Sequence, residues 1–447
     1  MNSEMDACQM QTERLRRGVF TTSLDGQTHL MSWPHHLSFR TDDLDSDRLR
    51  QLAESGQPAG SQDEVTSALR SGGWLYEEFL DIEGPAFEVK PLRPRIDGPP
   101  DEPNLDLSRF AVIRREGAAL IIESPLARAE IVIHRRRLLH ESLGTVPSTG
   151  MALKLRNELR RWGFLAVPGG DEDTDLRFRQ WGAHELLFHD RSRLGYRGYV
   201  GDGFGGTWWG KKMGLPPEPA RPDAFGGSRV KLTEPDLDTR RSDESPYCDV
   251  IERRKSIREH DDTDPISSDQ LAELLYRTAR IRGMHVESGV EFTNAPRPAG
   301  GSVYELEIYP LITLCAGIES GFYHYDAHAH EFEKILPIDD PAVRRMVRVA
   351  SQGSTTGAAP QVLLVISARV GRVMWKYEGM GYSIVLKNVG VLYHALAGTC
   401  SALSLAGCPL GTDDAAAFTE ATGRDPLTEC SVGQFIVGSP AIRSTEV

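Results

Sequence analysis

Arg254-Lys255-Ser256-Ile257-Arg258 sets two guanidiniums and a hydroxyl within one expected helical turn, directly ahead of an amphipathic run. The stretch reads as a phosphate clasp. A guanidinium fork grips two phosphate oxygens at once and stays charged at any working pH. A solvated basic turn can carry the same letters, so the surrounding sequence decides what these five residues mean.

The chain has 447 residues, 40% of them hydrophobic and 26% charged, the composition of a soluble globular protein. That length predicts two or three domains. The formal net charge of −13 argues against a general nucleic-acid binder, whose affinity comes from neutralising phosphates. Any basic site is therefore local. The start, MNSEMDACQMQTERLRRG, has no apolar signal core, and no run is long enough to span a bilayer, so the expected setting is cytoplasmic with no membrane partner. Cys8, Cys248, Cys315, Cys400, Cys408 and Cys430 form no C-x-x-C pair and have no neighbouring histidine cluster, and no metal site is expected.

Outward from the clasp, the chain divides by pattern. Helices over 47–55 and 62–70, then strands at Trp74-Leu75-Tyr76 and Phe87-Glu88-Val89, predict a small winged-helix-like unit over 1–92. A Pro-rich linker, Gly98-Pro99-Pro100-Asp101-Glu102-Pro103, follows. Strands over 110–114, 119–123 and 129–134, a helix over 150–162 and a short strand over 164–167 predict a second winged-helix-like unit within 104–170. The cations of its last helix fall on a solvated face. Residues 171–246 read as an irregular linker region. Gly201-Asp202-Gly203-Phe204-Gly205-Gly206 satisfies G-x-G-x-x-G there, but without a buried strand before it or a helix after it the dinucleotide meaning is lost. From 247 to 447, Ser267 caps a helix over 268–280, strands are expected over 305–314, 321–325 and 361–368, and a helix over 383–404 is apolar nearly all round. Such a helix belongs in a core or a subunit interface.

Three further pieces follow the clasp in order: Pro298-Ala299-Gly300-Gly301-Ser302, Cys408-Pro409-Leu410-Gly411, and Gly438 through Arg443. Together the four resemble the nitroreductase-like flavoproteins across 247–447. The resemblance implies an α+β FMN domain that forms a homodimer, preceded here by the two winged-helix-like peptide-recognition units. It implies that Arg254, Ser256 and Arg258, on a helix, hold the FMN phosphate and ribityl chain, with Arg443 as a final cation. It places Pro298, Ala299, Gly300 and Ser302 against the flavin of the other subunit, where small residues allow close backbone approach. Ala299 replaces the commoner serine. Leu410 and Gly411 would turn backbone amides to the flavin edge, and Gln352 is a candidate polar contact.

Within that family, Ser302-Val303-Tyr304-Glu305-Leu306, Gly321-Phe322-Tyr323-His324-Tyr325-Asp326 and Trp375-Lys376-Tyr377 resemble the SagB-type and cyanobactin-type azoline dehydrogenases. Glu123-Ser124-Pro125-Leu126 and His189-Asp190-Arg191-Ser192-Arg193 extend the likeness into the N-terminal half. The implied reaction is FMN-dependent oxidation of thiazoline or oxazoline rings to thiazole or oxazole in a ribosomally synthesised precursor peptide. A Cα proton goes to Lys376 or Tyr377 and a Cβ hydride to flavin N5, and dioxygen reoxidises the flavin. A tyrosine with an ordinary pKa of about 10 is a poor base, and a neighbouring ammonium favours its phenolate; a desolvated lysine can also serve as base. Adjacent residues on a strand face opposite ways, so the pair needs a bend to converge. The implied partners are a cyclodehydratase and the heterocyclised peptide, its leader added as a strand to the N-terminal units. An NAD(P)H-dependent nitro or quinone reductase and a winged-helix regulator with a flavin sensor are the competing readings.

Overall fold

The computed structural model describes residues 10–16, 19–32, 35–40, 46–60, 63–93, 104–144, 149–195 and 203–441. The Pro-rich linker at 98–103, Gly201, Asp202 and Arg443 lie outside them. Two compact units divide the chain, Met1–Gly205 and Gly206–Val447.

In the first unit the strands Leu75–Asp81 and Gly84–Pro91 form a hairpin in which Phe79 pairs with Phe87, their rings stacked 4.2 Å apart. Gly84–Pro91 also pairs with Ala129–Ile133. The strands of both expected winged-helix-like units therefore belong to one seven-stranded antiparallel sheet, which ends on one side at the exposed Val112–Glu116. Helices Ser46–Glu54 and Glu64–Ser71 bury Leu49, Leu52 and Leu69 in one small core. Helices Arg136–Leu143 and Gly150–Arg161 bury Leu139, Leu155 and Leu159 in another. Asp63 caps the second helix by accepting from the Thr66 N–H at 2.9 Å.

The second unit is built on another seven-stranded antiparallel sheet. Its central strands, Leu306–Ile312 and Val362–Arg369, are buried along their whole length because helices cover both faces. Ile308, Leu364 and Ile366 point to helices Ser268–Thr278 and Gly381–Ala402. Tyr309, Leu311, Leu363 and Val365 point the other way, to helices Pro341–Gly353 and Ala415–Thr422. This is the two-residue alternation of a strand read on both faces. Ser267 caps its helix with a reciprocal bond from Gln270, as the sequence predicts.

The region expected as a linker, 171–246, is split between the units. Its first part forms short helices up to Ala183–Arg191, whereas Arg229–Lys231 joins the C-terminal sheet beside Glu331–Pro337. A three-residue edge strand has too little pattern of its own to be read from sequence. Among the described residues no helix is long and apolar enough to cross a membrane, no three metal-ligating side chains cluster, and the cysteines are free.

One buried charge pair couples this unit to pH. Glu307 is 7% exposed, accepts a hydrogen bond from His324 at 3.1 Å and lies 3.6 Å from Arg369. Burial alone would raise its pKa, but the His324 bond and the charges of His324 and Arg369 outweigh it and hold the carboxyl below its ordinary range. A carboxylate with a depressed folded pKa stabilises the fold above its unfolded pKa, and this contribution is lost as pH falls through the folded value. The melting temperature of this unit, followed by calorimetry on the full chain, is expected to fall as pH drops below the ordinary glutamate value of 4.5. Glu307→Gln is expected to be less stable at neutral pH and to have a flatter pH dependence.

Candidate functional site

Helix Tyr247–Arg253 ends where Arg254 turns to φ −57°, ψ 122°. The clasp 254–258 therefore follows the helix instead of lying on it, contrary to the expectation from sequence. The reason is tertiary pairing: the Ile257 N–H donates to the Gly407 carbonyl at 3.2 Å, on the edge strand Ala406–Leu410, and His260 bridges to Pro440. Gln361, 1% exposed, stitches this corner together. Its side-chain oxygen accepts from the Ile266 and Ser439 N–H groups at 3.0 Å each, and its amide nitrogen donates to the Asp261 carbonyl at 2.9 Å. A Cβ at Gly438 would lie 2.7 Å from the His260 ring and 2.8 Å from the Gln361 side-chain oxygen, so only glycine fits.

The structure thus joins three of the four sequence pieces: the clasp, the strand leading to Leu410 and Gly411, and the segment after Gly438. The Ala441 N–H donates to the Glu259 carbonyl at 3.2 Å, which brings the chain to the clasp two residues before Arg443. Arg254, Lys255, Ser256 and Arg258 are exposed, and among the described residues their side chains have no hydrogen-bond or ion-pair partner. Three cations without partners on an acidic chain fit a phosphate. Gln352 is the penultimate residue of helix Pro341–Gly353, and the next residue, Gly353, abuts Thr412.

The remaining piece, Pro298–Ser302, lies at the other end of the sheet. Gly301, Ser302 and Tyr304 have φ of 70°, 55° and 45°, left-handed backbone interrupted by Val303 and strained outside glycine. A polar relay pins it: the Gly300 N–H donates to the Asn388 side-chain oxygen at 3.1 Å, and the Asn388 amide donates to the buried Glu305 carboxylate at 2.9 Å. Lys376 and Tyr377 occupy the turn that closes helix Val370–Met374, their N–H groups reaching the Val373 carbonyl at 3.1 and 2.9 Å. This turn is the bend the pair requires. Both tips face one glycine, since a Cβ on Gly301 would lie 2.7 Å from the Tyr377 hydroxyl and 3.0 Å from Lys376 Nζ.

Lys376 Nζ sits 4.6 Å from the Trp208 ring centre, 5.1 Å from that of Tyr377 and 5.9 Å from that of Phe292. Beside it opens a cavity of about 460 Å³ lined by Trp208, Lys211, Glu287, Ser288, Phe292 and Lys376. Sequence alone gives no site role to Trp208, Phe292, Asn388, Glu305 or Gln361. The available signal was polar residues in apolar runs: Asn388 inside the apolar helix, and Gln361 opening a buried strand.

Within one chain the two ends stay apart. The eight residues of Val362–Arg369 span roughly 25 Å from the Gln361 corner toward the Lys376 turn. Helix Gly381–Ala402 runs back between them, with Ile384 against Gly300 and the Ser401 hydroxyl bonded to the Val250 carbonyl at 2.8 Å. Along its outer side lies a groove of about 800 Å³ that includes Pro298 at one end and Val250 at the other.

Residues 251–439 match the nitroreductase family. The C-terminal unit is thus nitroreductase-like, with mixed helix and sheet. Residues 105–197 match the cyanobactin oxidase ThcOx. Among solved structures, a candidate nitroreductase from Anabaena variabilis is 14% identical over 56% of this chain and 45% of its own, with a TM-score of 0.39. This chain therefore spans less than half of that protein. A candidate nitroreductase from Ralstonia eutropha is 19% identical over 51% of this chain and 96% of its own, with a TM-score of 0.38. The E. coli microcin synthetase McbBCD complex with truncated pro-MccB17 bound includes a chain 18% identical over 52% of this one and 81% of its own, with a TM-score of 0.36. A comparison with curated proteins found no match.

In the nitroreductase-like unit, Gly301→Ala is expected to cost about 1–2 kcal/mol from left-handed backbone strain alone, and more from displacing Tyr377. Urea unfolding measures the loss, which Gly283→Ala, on an open strand where a Cβ meets nothing within 4 Å, is expected not to share.

Proposed function

We propose that the chain is an FMN-dependent dehydrogenase that oxidises thiazoline or oxazoline rings of a ribosomally synthesised precursor peptide to thiazole or oxazole. The observation that carries this reading is the convergence of Lys376 and Tyr377 on the left-handed Gly301. A plain reductase, supplied with hydride by a nicotinamide, has no need of a base there. The cyanobactin oxidase match in the N-terminal half supports the same choice.

Arg254, Ser256 and Arg258 would hold the FMN phosphate, joined by Arg443. Leu410 and Gly411 would offer backbone amides, and Gln352 a polar contact. Pro298, Ala299, Gly300 and Ser302 would come from a second copy, since one chain keeps its clasp and its turn a sheet length apart. The second copy would pack in the groove along Gly381–Ala402, completing two sites in a homodimer. FMN, when bound, supplies the acceptor for the Cβ hydride and passes the electron pair to dioxygen. Tyr377 takes the Cα proton beside the Lys376 ammonium, so the ring loses two hydrogens in all and becomes aromatic. The cavity beside Lys376 gives the ring a place to approach that pair. The first unit, with its two helix-and-hairpin halves, would take the leader as an added strand along the exposed Val112–Glu116 edge. A cyclodehydratase would supply the azoline.

The purified protein is expected to release FMN on denaturation, and Arg254→Ala with Arg258→Ala to lose it. Lys376→Ala and Tyr377→Phe should keep FMN yet slow the loss of two hydrogens from a heterocyclised peptide, followed by mass spectrometry, by about a hundredfold or more. Normal oxidation by both variants would sink the assignment. Rapid reduction by NADPH without peptide would point to the reductase.

A further inference from the structure

Lys376 has no carboxylate within ion-pair distance among the described residues. Aromatic faces surround its ammonium instead, and the nearest belongs to Trp208, at 4.6 Å. Trp208 lies in the short strap that opens the C-terminal unit, and this strap is bonded to the backbone around the lysine. The Trp208 N–H donates to the Lys376 carbonyl at 3.0 Å and the Gly210 N–H to the Trp375 carbonyl at 3.1 Å. Thr207 bonds Glu378, the Trp375 ring N–H reaches the Leu215 carbonyl at 3.0 Å, and the Trp208 and Trp375 rings meet edge to face at 5.8 Å.

Trp208 itself has φ 55°, ψ 36°, left-handed backbone that glycine adopts freely and a side chain does not. A glycine would suit that position better if the strap served only as a connection. The tryptophan is accounted for by its ring, which attracts an ammonium through its π face. A carboxylate in its place would hold the lysine but tie up its protons. An aromatic face fixes the nitrogen and leaves its N–H bonds free toward the cavity shared by Trp208, Phe292 and Lys376.

From this geometry we infer that Trp208 is a positioning residue: it holds the Lys376 ammonium at the mouth of the cavity where the azoline ring reacts, with Phe292 as a more distant face beyond Tyr377. This rests on the role proposed for Lys376. The strap, which the sequence reads as linker, is therefore part of the active centre.

The test compares Trp208→Leu, Trp208→Phe and Phe292→Leu in the full-length, FMN-loaded protein, with Lys376→Ala as reference, on a heterocyclised peptide. FMN content and melting temperature are measured alongside kcat and KM. Trp208→Leu is expected to lower kcat about tenfold with KM changed no more than about twofold, while Trp208→Phe stays within about threefold of the parent. Phe292→Leu is expected to lower kcat by a smaller factor, and it carries the test if Trp208→Leu does not fold. Parental kcat in the leucine variants, or a phenylalanine variant as slow as the leucine one, overturns the inference. If Lys376→Ala is itself fully active, the role of Lys376 fails and the inference falls with it. If Lys376→Ala is inactive while Trp208→Leu is unaffected, only the role of Trp208 falls.

Discussion

The strand Val362–Arg369 is the constraint on which the C-terminal unit depends. It is buried on both faces, so its register is fixed by two cores at once, and a one-residue slip would exchange every side chain between them. Gln361 sits just before it and organises the clasp corner. Arg369 ends it, and the turn bearing Lys376 and Tyr377 follows within a few residues. The strand acts as a ruler whose length sets the separation between the clasp corner and the turn bearing Lys376 and Tyr377.

Polar groups buried at each end of that ruler fix the local detail. At one end the Gln361 side chain satisfies backbone N–H groups from two segments that form no regular strand pair with each other. At the other the Glu305–Asn388 pair holds the Gly300 N–H, and its left-handed neighbours persist because the surroundings over-determine them. Glu305 is fully buried, and burial raises its pKa despite the Asn388 bond. Such groups are costly unless satisfied, which makes them effective at specifying one geometry.

Much of this was legible in the sequence, because regular elements announce themselves by period. The apolar helix expected over 383–404 is Gly381–Ala402, and the buried strand expected over 361–368 is Val362–Arg369. The clasp residues were legible as a group but not as a shape: three cations suggest a helical turn until Ile257 pairs with Gly407, a partner about 150 residues away that no local pattern reveals. The single sheet of the first unit was hidden for the same reason, since nothing local to Gly84–Pro91 tells that it pairs with Ala129–Ile133 across the Pro-rich break. Trp208 was hidden differently. It sits in a Gly- and Trp-rich run whose most conspicuous pattern is a false dinucleotide motif, and its neighbour Lys376 is 168 positions on.

The charge balance gives the clasp a selectivity of its own. Its cations stand without carboxylate partners on a chain of net charge −13. At physiological ionic strength fields fade within about 8 Å, so a compact dianion that reaches the clasp meets mainly local attraction. A long polyanion must also lie against a chain of net negative charge, and repulsion accumulates with each charge it brings. Exposed cations in this setting would favour a small dianion over a long polyanion by ligand size alone.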